Sequence, residues 1–263
     1  MATEVCVLAS GSKGNCTYIS DGKTRLLIDA GISCKRIEEI LREKGIEMKS
    51  IDAILVTHEH TDHIMGLRML DTKYGIPILA NQKTSVCIDV RMHINTVRWL
   101  KNNFDQGFKI GDIEIIPFRT PHDAVNSVGY TLIVGGKKVS YVTDLGYVTQ
   151  GVYNTVKGSD IVILEANHDL KMLANGRYPL TLQARIKGNT GHLSNVQSAE
   201  VASALALSGT KCIILAHISE ENNTPELAWG VCYDNLMKHG IEPGQGFYLF
   251  VAKQDQPTPM ITI

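Results

Sequence analysis

The most constraining feature of this chain of 263 residues is a cluster of three histidines and one aspartate within six positions. The run His58-Glu59-His60-Thr61-Asp62-His63 directly follows an apolar stretch, Ala53-Ile54-Leu55-Val56-Thr57. Given the 9 histidines of the chain, chance would produce this H-x-H-x-D-H pattern in roughly 5 of 10,000 sequences of this composition. Imidazole and carboxylate groups are ligands that Zn²⁺, Mn²⁺ and Fe²⁺ accept. The run therefore predicts a metal site at the end of a strand.

The spacing within the run predicts two ions rather than one. Alternate residues of an extended loop point the same way, so His58 and His60 can bind one ion. Asp62 and His63 then enter a helix and can face a second ion. Further candidate ligands each follow an apolar strand, and they are His122, Asp144 and His217. Each of these alone is more often an ordinary polar residue, but together they supply what two ions require.

Strand and helix patterns alternate along the chain. Short apolar segments predict strands at 3–8, 16–20, 24–29, 53–57, 113–119, 127–134, 138–143, 160–164 and 211–216. The apolar periodicity predicts one helix over about 61–74. Ser194 and Thr224 have the sequence context of helix N-caps, and Gly209 and Gly240 follow the ends of those two helices. Strands followed by helices predict helices packed outside stacked sheets.

The charge balance excludes one class of protein. The chain has 26 basic and 27 acidic side chains, so its net charge of −1 excludes a globally basic nucleic-acid binder. A local basic segment remains, because residues 168–190 carry four basic side chains and one acidic side chain, which are Lys171, Arg177, Arg185, Lys187 and Asp169. These could hold backbone phosphates, or the segment could be an ordinary solvated loop.

The N-terminal sequence and the length of the apolar runs indicate where in the cell the protein is expected. The N-terminus lacks the basic start and long apolar stretch of a signal peptide, and no apolar run has the length of a membrane helix. We therefore expect a cytoplasmic protein that does not enter a membrane. No obligatory protein partner is indicated.

The order H-x-H-x-D-H, His122, Asp144 and His217 resembles the metallo-β-lactamase superfamily over nearly the whole chain. The resemblance implies an α/β fold, the four-layer αββα sandwich, formed by residues 1–263 as one domain. It implies two divalent metal ions, Zn, Mn or Fe, between which a hydroxide would act as the nucleophile. The implied ligands are His58, His60 and His122 for one ion, Asp62, His63 and His217 for the other, and Asp144 as the bridge.

Two further features indicate which branch of the superfamily the chain resembles. His192 directly precedes a predicted helix, and Glu165 ends a predicted strand. This arrangement resembles the phosphodiesterase branch, in which a Glu–His pair serves proton transfer at the leaving group. Glu165 would orient His192 and stabilise its positive charge. The alternative is that His192 only helps to cap the helix at Ser194. The β-CASP nucleases are excluded because the interval between Asp144 and His217 cannot hold their inserted domain.

Four motifs together resemble the YycJ/WalJ family. They are the Gly-rich loop Ser10-Gly11-Ser12-Lys13-Gly14-Asn15, the run Glu165-Ala166-Asn167-His168-Asp169, Gly191 through Asn195, and Ala216-His217-Ile218-Ser219 followed by Asn222-Asn223. The resemblance implies a nucleic acid substrate, DNA, and a 5′→3′ exonuclease activity. The Gly-rich loop could hold a phosphate on its backbone N–H groups, or it could be a tight turn only.

Besides the set of metal ligands, the candidate site residues fall into two groups. The candidate catalytic residues are Asp62, Glu165 and His192. The candidate substrate-binding residues are Ser12, Asn15, His168, Arg185 and Lys187. His168 could assist at the site or contact a terminal phosphate. Two alternative functions use the same metal site: RNA processing, and hydrolysis of a small ester, thioester or lactam.

Overall fold

The computed structural model describes residues 2–94, 97–99 and 106–263. The described strands are β1 Glu4–Ala9, β2 Cys16–Ser20, β3 Arg25–Ile28, β4 Ala53–Leu55, β5 Ile78–Ala80, β6 Val97–Trp99, β7 Phe108–Ile110, β8 Ile113–Arg119, β9 Val128–Val134, β10 Lys137–Val142, β11 Ile161–Glu165, β12 Cys212–Ala216, β13 Tyr248–Val251 and β14 Ile261–Thr262. The described α-helices are α1 Cys34–Glu43, α2 Thr61–Ile64, α3 Leu67–Tyr74, α4 Gln82–Met92, α5 Gln150–Val156, α6 Leu170–Asn175, α7 Leu180–Lys187, α8 Asn195–Leu207 and α9 Pro225–Lys238.

The described strands form two sheets that are built alike. One has the order β14-β1-β2-β3-β4-β5-β6 and the other the order β13-β12-β11-β10-β9-β8-β7. In the first sheet β1, β2 and β3 are antiparallel neighbours, and β3 through β6 run parallel. In the second sheet β7 through β10 are antiparallel, and β10 through β13 run parallel. Each half of the chain is therefore a meander followed by parallel strands.

Three apolar clusters separate four layers. The central cluster joins inward-facing residues of both sheets, such as Val7 and Ile19 of the first sheet and Ile115 and Ile163 of the second. A second cluster packs α1 and α3 on the outer face of the first sheet. The third packs α5, α8 and α9 on the outer face of the second sheet. The αββα sandwich is confirmed.

The predicted strands are confirmed to within a few residues, but the predicted single helix over 61–74 is wrong. The structure has α2 and α3 in its place, separated by Met65 and Gly66. Gly66 donates its N–H to the carbonyl of Ala30 at 2.8 Å. A Cβ atom at Gly66 would lie 2.4 Å from the carbonyl oxygen of Ile32. This close approach interrupts the helix, and periodicity alone carries no signal of it.

The site lies where the strands of both sheets end. The run from His58 to His63 follows β4, Asp144 follows β10, and His217 follows β12. Asp144 and His217 have left-handed backbone conformations, with φ of 58° and 55°. Such conformations cost energy for residues other than glycine and are concentrated at functional sites. The fold thus places the polar residues of two sheets at one edge. Within the described residues, no helix is long and apolar enough to cross a membrane.

Candidate metal centre

All seven residues predicted to be metal ligands come together at this edge, namely His58, His60, Asp62, His63, His122, Asp144 and His217. Within each group that they form, the potential ligand atoms lie within 4.8 Å of one another. We name His58, His60 and His122 the first cluster, and Asp62, His63 and His217 the second cluster.

The first cluster consists of three imidazoles. His60 Nδ1 lies 3.3 Å from His122 Nε2. His122 Nδ1 lies 3.2 Å from the carbonyl oxygen of Gly191, which can only accept a hydrogen bond. His58 Nδ1 lies 2.9 Å from the hydroxyl of Thr57. The hydrogen bonds at Nδ1 leave the Nε2 lone pairs of His58 and His122 available to bind a cation.

The second cluster contains one carboxylate and two imidazoles. Asp62 Oδ2 lies 3.4 Å from His63 Nε2 and 3.4 Å from His217 Nε2. The opposite nitrogen of each ring contacts a buried carboxylate: Asp29 Oδ2 at 2.7 Å from His63 Nδ1, and Glu165 Oε1 at 2.9 Å from His217 Nδ1. Carboxylates in this position fix ring orientation and raise the basicity of the metal-facing nitrogen.

Asp144 lies between the two clusters. Its Oδ2 is 3.4 Å from His63 Nε2 of the second cluster, and its Oδ1 is 3.7 Å from His122 Nε2 of the first cluster. Asp144 Oδ2 and His58 Nε2 are both buried without a hydrogen-bond partner among the described residues. Unpartnered buried polar atoms are unfavourable, and a divalent cation would satisfy both. Nitrogen and oxygen donors of this kind suit Zn²⁺, Mn²⁺ or Fe²⁺.

Glu165 and His192 form the predicted pair. Glu165 Oε1 lies 2.8 Å from His192 Nδ1, and its Oε2 accepts a hydrogen bond from the Leu193 N–H at 2.9 Å. Glu165 is fully buried, whereas the His192 side chain is 17% exposed. The His192 ring centre is 5.0 Å from that of His122 and 5.2 Å from that of His217. His192 therefore stands between the clusters and solvent, with its Nε2 directed away from Glu165.

The helix cap at α8 does not use the His192 side chain. Ser194 Oγ accepts a hydrogen bond from the Gln197 N–H, and the Gln197 side chain accepts one from the Ser194 N–H. This reciprocal capping box satisfies the start of the helix without help. The structure therefore favours the pairing of His192 with Glu165 over the capping alternative.

Burial and neighbouring charges shift the pKa values of the ionisable groups of the site in different directions. Burial lowers the pKa of His58 well below its usual value. Burial also acts to lower the pKa of His217, but the facing Asp144 carboxylate and other acids outweigh it and raise that pKa to about 10. Burial would raise the pKa of Glu165, yet the positive charge and hydrogen bond of His192 hold it at about 2. Glu165 is therefore ionised at neutral pH.

Comparison with known proteins agrees with this geometry. A family model described as "Beta-lactamase superfamily domain" matches residues 24–218. The exodeoxyribonuclease WalJ of Streptococcus pneumoniae (strain D39) is 38% identical over 260 residues, covering 98% of this chain and 97% of that protein. The exodeoxyribonuclease YycJ of Bacillus anthracis is 35% identical over 268 residues, covering 98% of each chain. The chain belongs to the WalJ/YycJ family of the β-lactamase superfamily.

A solved structure supports the same fold assignment. The crystal structure of the metallo-β-lactamase fold protein YhfI from Bacillus subtilis aligns with a TM-score of 0.69 and 17% identity, covering 98% of this chain and 99% of that chain. At this identity the likeness concerns the fold alone. Membership of the superfamily makes this WalJ/YycJ family member an enzyme of the metal-dependent hydrolase class.

The sequence interpretation missed Asp29, which connects both clusters. Asp29 follows β3, is fully buried and has a φ of 61°. It accepts a hydrogen bond from His63 Nδ1 and another from the Thr57 hydroxyl at 2.9 Å. Because Thr57 donates to Asp29, its oxygen is left to accept from His58 Nδ1. The only sequence signal is an aspartate directly after an apolar strand, the context shared by Asp144.

The candidate substrate-binding residues of this family member differ in exposure. Ser12, Arg185 and Lys187 are exposed. Arg185 forms a close ion pair with Asp123, the residue after His122.

Two others are not at the surface. Asn15 is fully buried, and its side chain contacts Asp62 and His63. His168 is 1% exposed, and its Nδ1 is buried without a hydrogen-bond partner among the described residues. The exposed candidates are therefore Ser12, Arg185 and Lys187, while Asn15 and His168 lie beneath the surface.

Proposed function

We propose that this chain is a metal-dependent phosphodiesterase that acts as a 5′→3′ DNA exonuclease with two divalent ions in one site. The observation that carries the proposal is the meeting of the two clusters at Asp144, with His192 directly beside them. Two relatives over the full length are named exodeoxyribonucleases, which supports DNA as the substrate. In this proposal residues 1–263 act as one domain.

The proposed ligands follow from the contacts of the two clusters. His58 Nε2, His60 Nδ1 and His122 Nε2 would hold one ion, while Asp62, His63 and His217 would hold the other. Asp144 would contribute a carboxylate oxygen to each. Bound ions at these positions would supply a nucleophile near neutral pH and neutralise charge on the phosphate. The buried carboxylates Asp29 and Glu165 would keep the ligand rings in orientation.

His192 is the proposed general acid. Its Nδ1 is directed at the Glu165 carboxylate at 2.8 Å, so the proton available for transfer would be carried by Nε2. An alkoxide leaving group is a strong base and needs such a proton. Glu165 remains ionised and holds the ring through this transfer. Because Glu165 also contacts His217 Nδ1, the same carboxylate would serve both proton transfer and the second cluster.

Exposed polar residues near the site would hold the DNA. Ser12 lies on the Gly-rich loop, and Lys187 lies in the last turn of α7, which leads to His192. Both could contact backbone phosphates. Arg185 would have to exchange its ion pair with Asp123 for a phosphate contact. His168 would need a local opening, since it is buried.

A product analysis tests the proposal directly. The purified protein is incubated with Mn²⁺ or Zn²⁺ and with DNA and RNA, single- and double-stranded, labelled at the 5′ or the 3′ end. We expect release of the 5′ label as mononucleotide from DNA at early times, with the 3′ label retained on progressively shorter strands. The Asp144→Ala variant serves as the control for contaminating nuclease.

Each other result identifies an alternative. Preferential turnover of RNA would favour an RNA-processing nuclease. Early release of the 3′ label would show that cleavage runs in the opposite direction, 3′→5′. Turnover of thioester, ester or lactam substrates without turnover of any nucleic acid would overturn the phosphodiesterase proposal.

A further inference from the structure

We propose that Asn15 is a positioning residue that assembles the second cluster, and that it does not contact the substrate. The proposal rests on the two-ion function proposed above. It concerns the Gly-rich loop, whose glycines and polar residues otherwise suggest a phosphate cradle. The Asn15 side chain is fully buried, which removes it from the surface that a nucleic acid could reach.

The amide nitrogen of Asn15 faces the second cluster. Its Nδ2 lies 3.4 Å from Asp62 Oδ2 and 3.3 Å from His63 Nε2, and it donates to the Gly11 carbonyl at 3.1 Å. An amide nitrogen has two protons. Because one of these N–H groups donates to the Gly11 carbonyl, the other is available to donate to the Asp62 carboxylate. That contact would hold Oδ2 in the position from which it faces both His63 and His217.

The amide oxygen of Asn15 is connected, through Ser10, to His217, the remaining member of the second cluster. Its Oδ1 accepts from the Gly11 N–H at 3.0 Å and from the Ser10 hydroxyl at 3.0 Å. The Gly11 N–H can only donate, so this contact fixes which end of the amide is oxygen. Ser10 Oγ in turn accepts the His217 N–H at 2.7 Å. One amide therefore connects to Asp62, His63 and, through Ser10, to His217.

The backbone of Asn15 is anchored independently of its side chain. The Asn15 N–H donates to the Asp62 carbonyl at 2.8 Å, and the Asn15 carbonyl accepts from the Gly31 N–H at 2.8 Å. Gly31 permits this approach, because a Cβ atom there would lie 1.6 Å from the Asp62 carbonyl oxygen. Truncation of the Asn15 side chain should therefore leave the loop in place while removing the contacts to the ligands.

The contacts of Asn15 predict an effect on one cluster only. Among the described residues, the hydrogen bonds of its side chain involve Asp62 and His63 and none of His58, His60 or His122. Loss of residues that orient ligands typically weakens metal binding by about 10- to 100-fold. We expect this weakening at one of two ions, with the other unaffected.

The test is a metal titration of the chelator-treated protein with Mn²⁺, repeated with Zn²⁺ against a competing chelator. Wild type is compared with Asn15→Ala, Ser10→Ala and the control Asn235→Ala. Asn235 lies on α9 and accepts a side-chain hydrogen bond from Ser203 at 2.6 Å, away from both clusters. Thermal melting of each metal-free variant measures any general loss of folding.

We expect wild type to bind two ions, and Asn15→Ala to bind one with unchanged affinity and the other about 10- to 100-fold more weakly. Ser10→Ala should show a smaller loss at the same ion, and Asn235→Ala should match wild type. Unchanged binding of both ions by Asn15→Ala, or equal weakening of both, would overturn the positioning role. A wild-type protein that binds fewer than two ions would instead reject the two-ion function itself.

Discussion

The two clusters hold similar side chains in different surroundings. In the first cluster, His58 and His122 are oriented by neutral groups, the Thr57 hydroxyl and the Gly191 carbonyl. In the second cluster, His63 and His217 are oriented by buried carboxylates, Asp29 and Glu165. Burial dominates at His58 and His122 of the first cluster and lowers the pKa of each, while acidic neighbours dominate at His63 and His217 of the second cluster and raise the pKa of each.

This difference has a physical consequence for metal binding. A ligand imidazole must be neutral, so a ring whose pKa is already low binds a cation without first releasing a proton. A ring held as imidazolium by carboxylates must release its proton, but the same carboxylates then favour the incoming cation. Cation binding by His58 and His122 is therefore less pH-dependent than cation binding by His63 and His217, and the second cluster carries more negative charge to attract an ion.

The largest expected effect comes from the residue that the two clusters share. Asp144→Ala removes the carboxylate between them, and we expect loss of both ions. Activity should fall by about a thousandfold or more, since metal ions contribute several kcal/mol of transition-state stabilisation. Metal analysis after gel filtration and a nuclease assay measure the two losses. Retention of one full equivalent of metal would show that the clusters bind independently.

His192 should separate catalysis from metal binding. His192→Ala removes a group that contacts Glu165 but belongs to neither cluster. We expect kcat to fall by about 100- to 10,000-fold, the usual contribution of a general acid, while both ions remain bound. Single-turnover kinetics and metal content check this. Unchanged turnover would reject the role as acid, and loss of metal would assign His192 to a cluster.

Two carboxylate substitutions should distinguish the clusters. Asp29→Asn alters a group that orients His63 directly and His58 through Thr57, so we expect both ions to bind about 10- to 100-fold more weakly. Glu165→Gln alters the carboxylate that contacts the His217 ring, and its other contact with a ligand is only to the Asp144 backbone N–H at 3.3 Å, so binding of the second ion should weaken by a similar factor and that of the first by much less. Metal titrations give both affinities. Identical profiles for the two variants would contradict the difference between the clusters.

The smallest effect concerns the stability of the metal-free protein. His217 has a raised pKa of about 10, so its contribution is present below its unfolded pKa of 6.5 and is lost as pH rises towards 10. His58 has a lowered pKa, so its charging in the unfolded chain costs stability below pH 6.5. Each titration contributes up to about 1.4 kcal/mol per pH unit.

Stability of the metal-free protein should therefore fall on both sides of neutrality, with the alkaline loss arising at the second cluster. Denaturant unfolding in the presence of chelator from pH 5 to pH 10 measures this dependence. His217→Gln should reduce the alkaline loss and leave the acid side unchanged, and the remaining alkaline loss should come from His63, whose pKa is also raised. An alkaline loss of undiminished size in this variant would show that its source is elsewhere.

Much of the fold and site was predictable because the signals are local. The run from His58 to His63 places four of the candidate ligands within one loop and the start of one helix. The apolar stretch that precedes this run predicts the strand before it. The capping residue Ser194 marks the start of α8 in the same local way. His122, Asp144 and His217 are predicted because each follows an apolar strand. Such signals depend only on neighbours along the chain.

What the sequence alone determined is therefore the set of chemical groups and the order of the elements that carry them. Only the tertiary structure decided that Asp29 serves both clusters, that Glu165 contacts both His192 and His217, and that Asn15 faces ligands. These contacts join residues that are distant in the chain, such as Asn15 and Asp62. The edge where strands of two sheets end brings them together, and no periodicity or spacing in one segment encodes that distance.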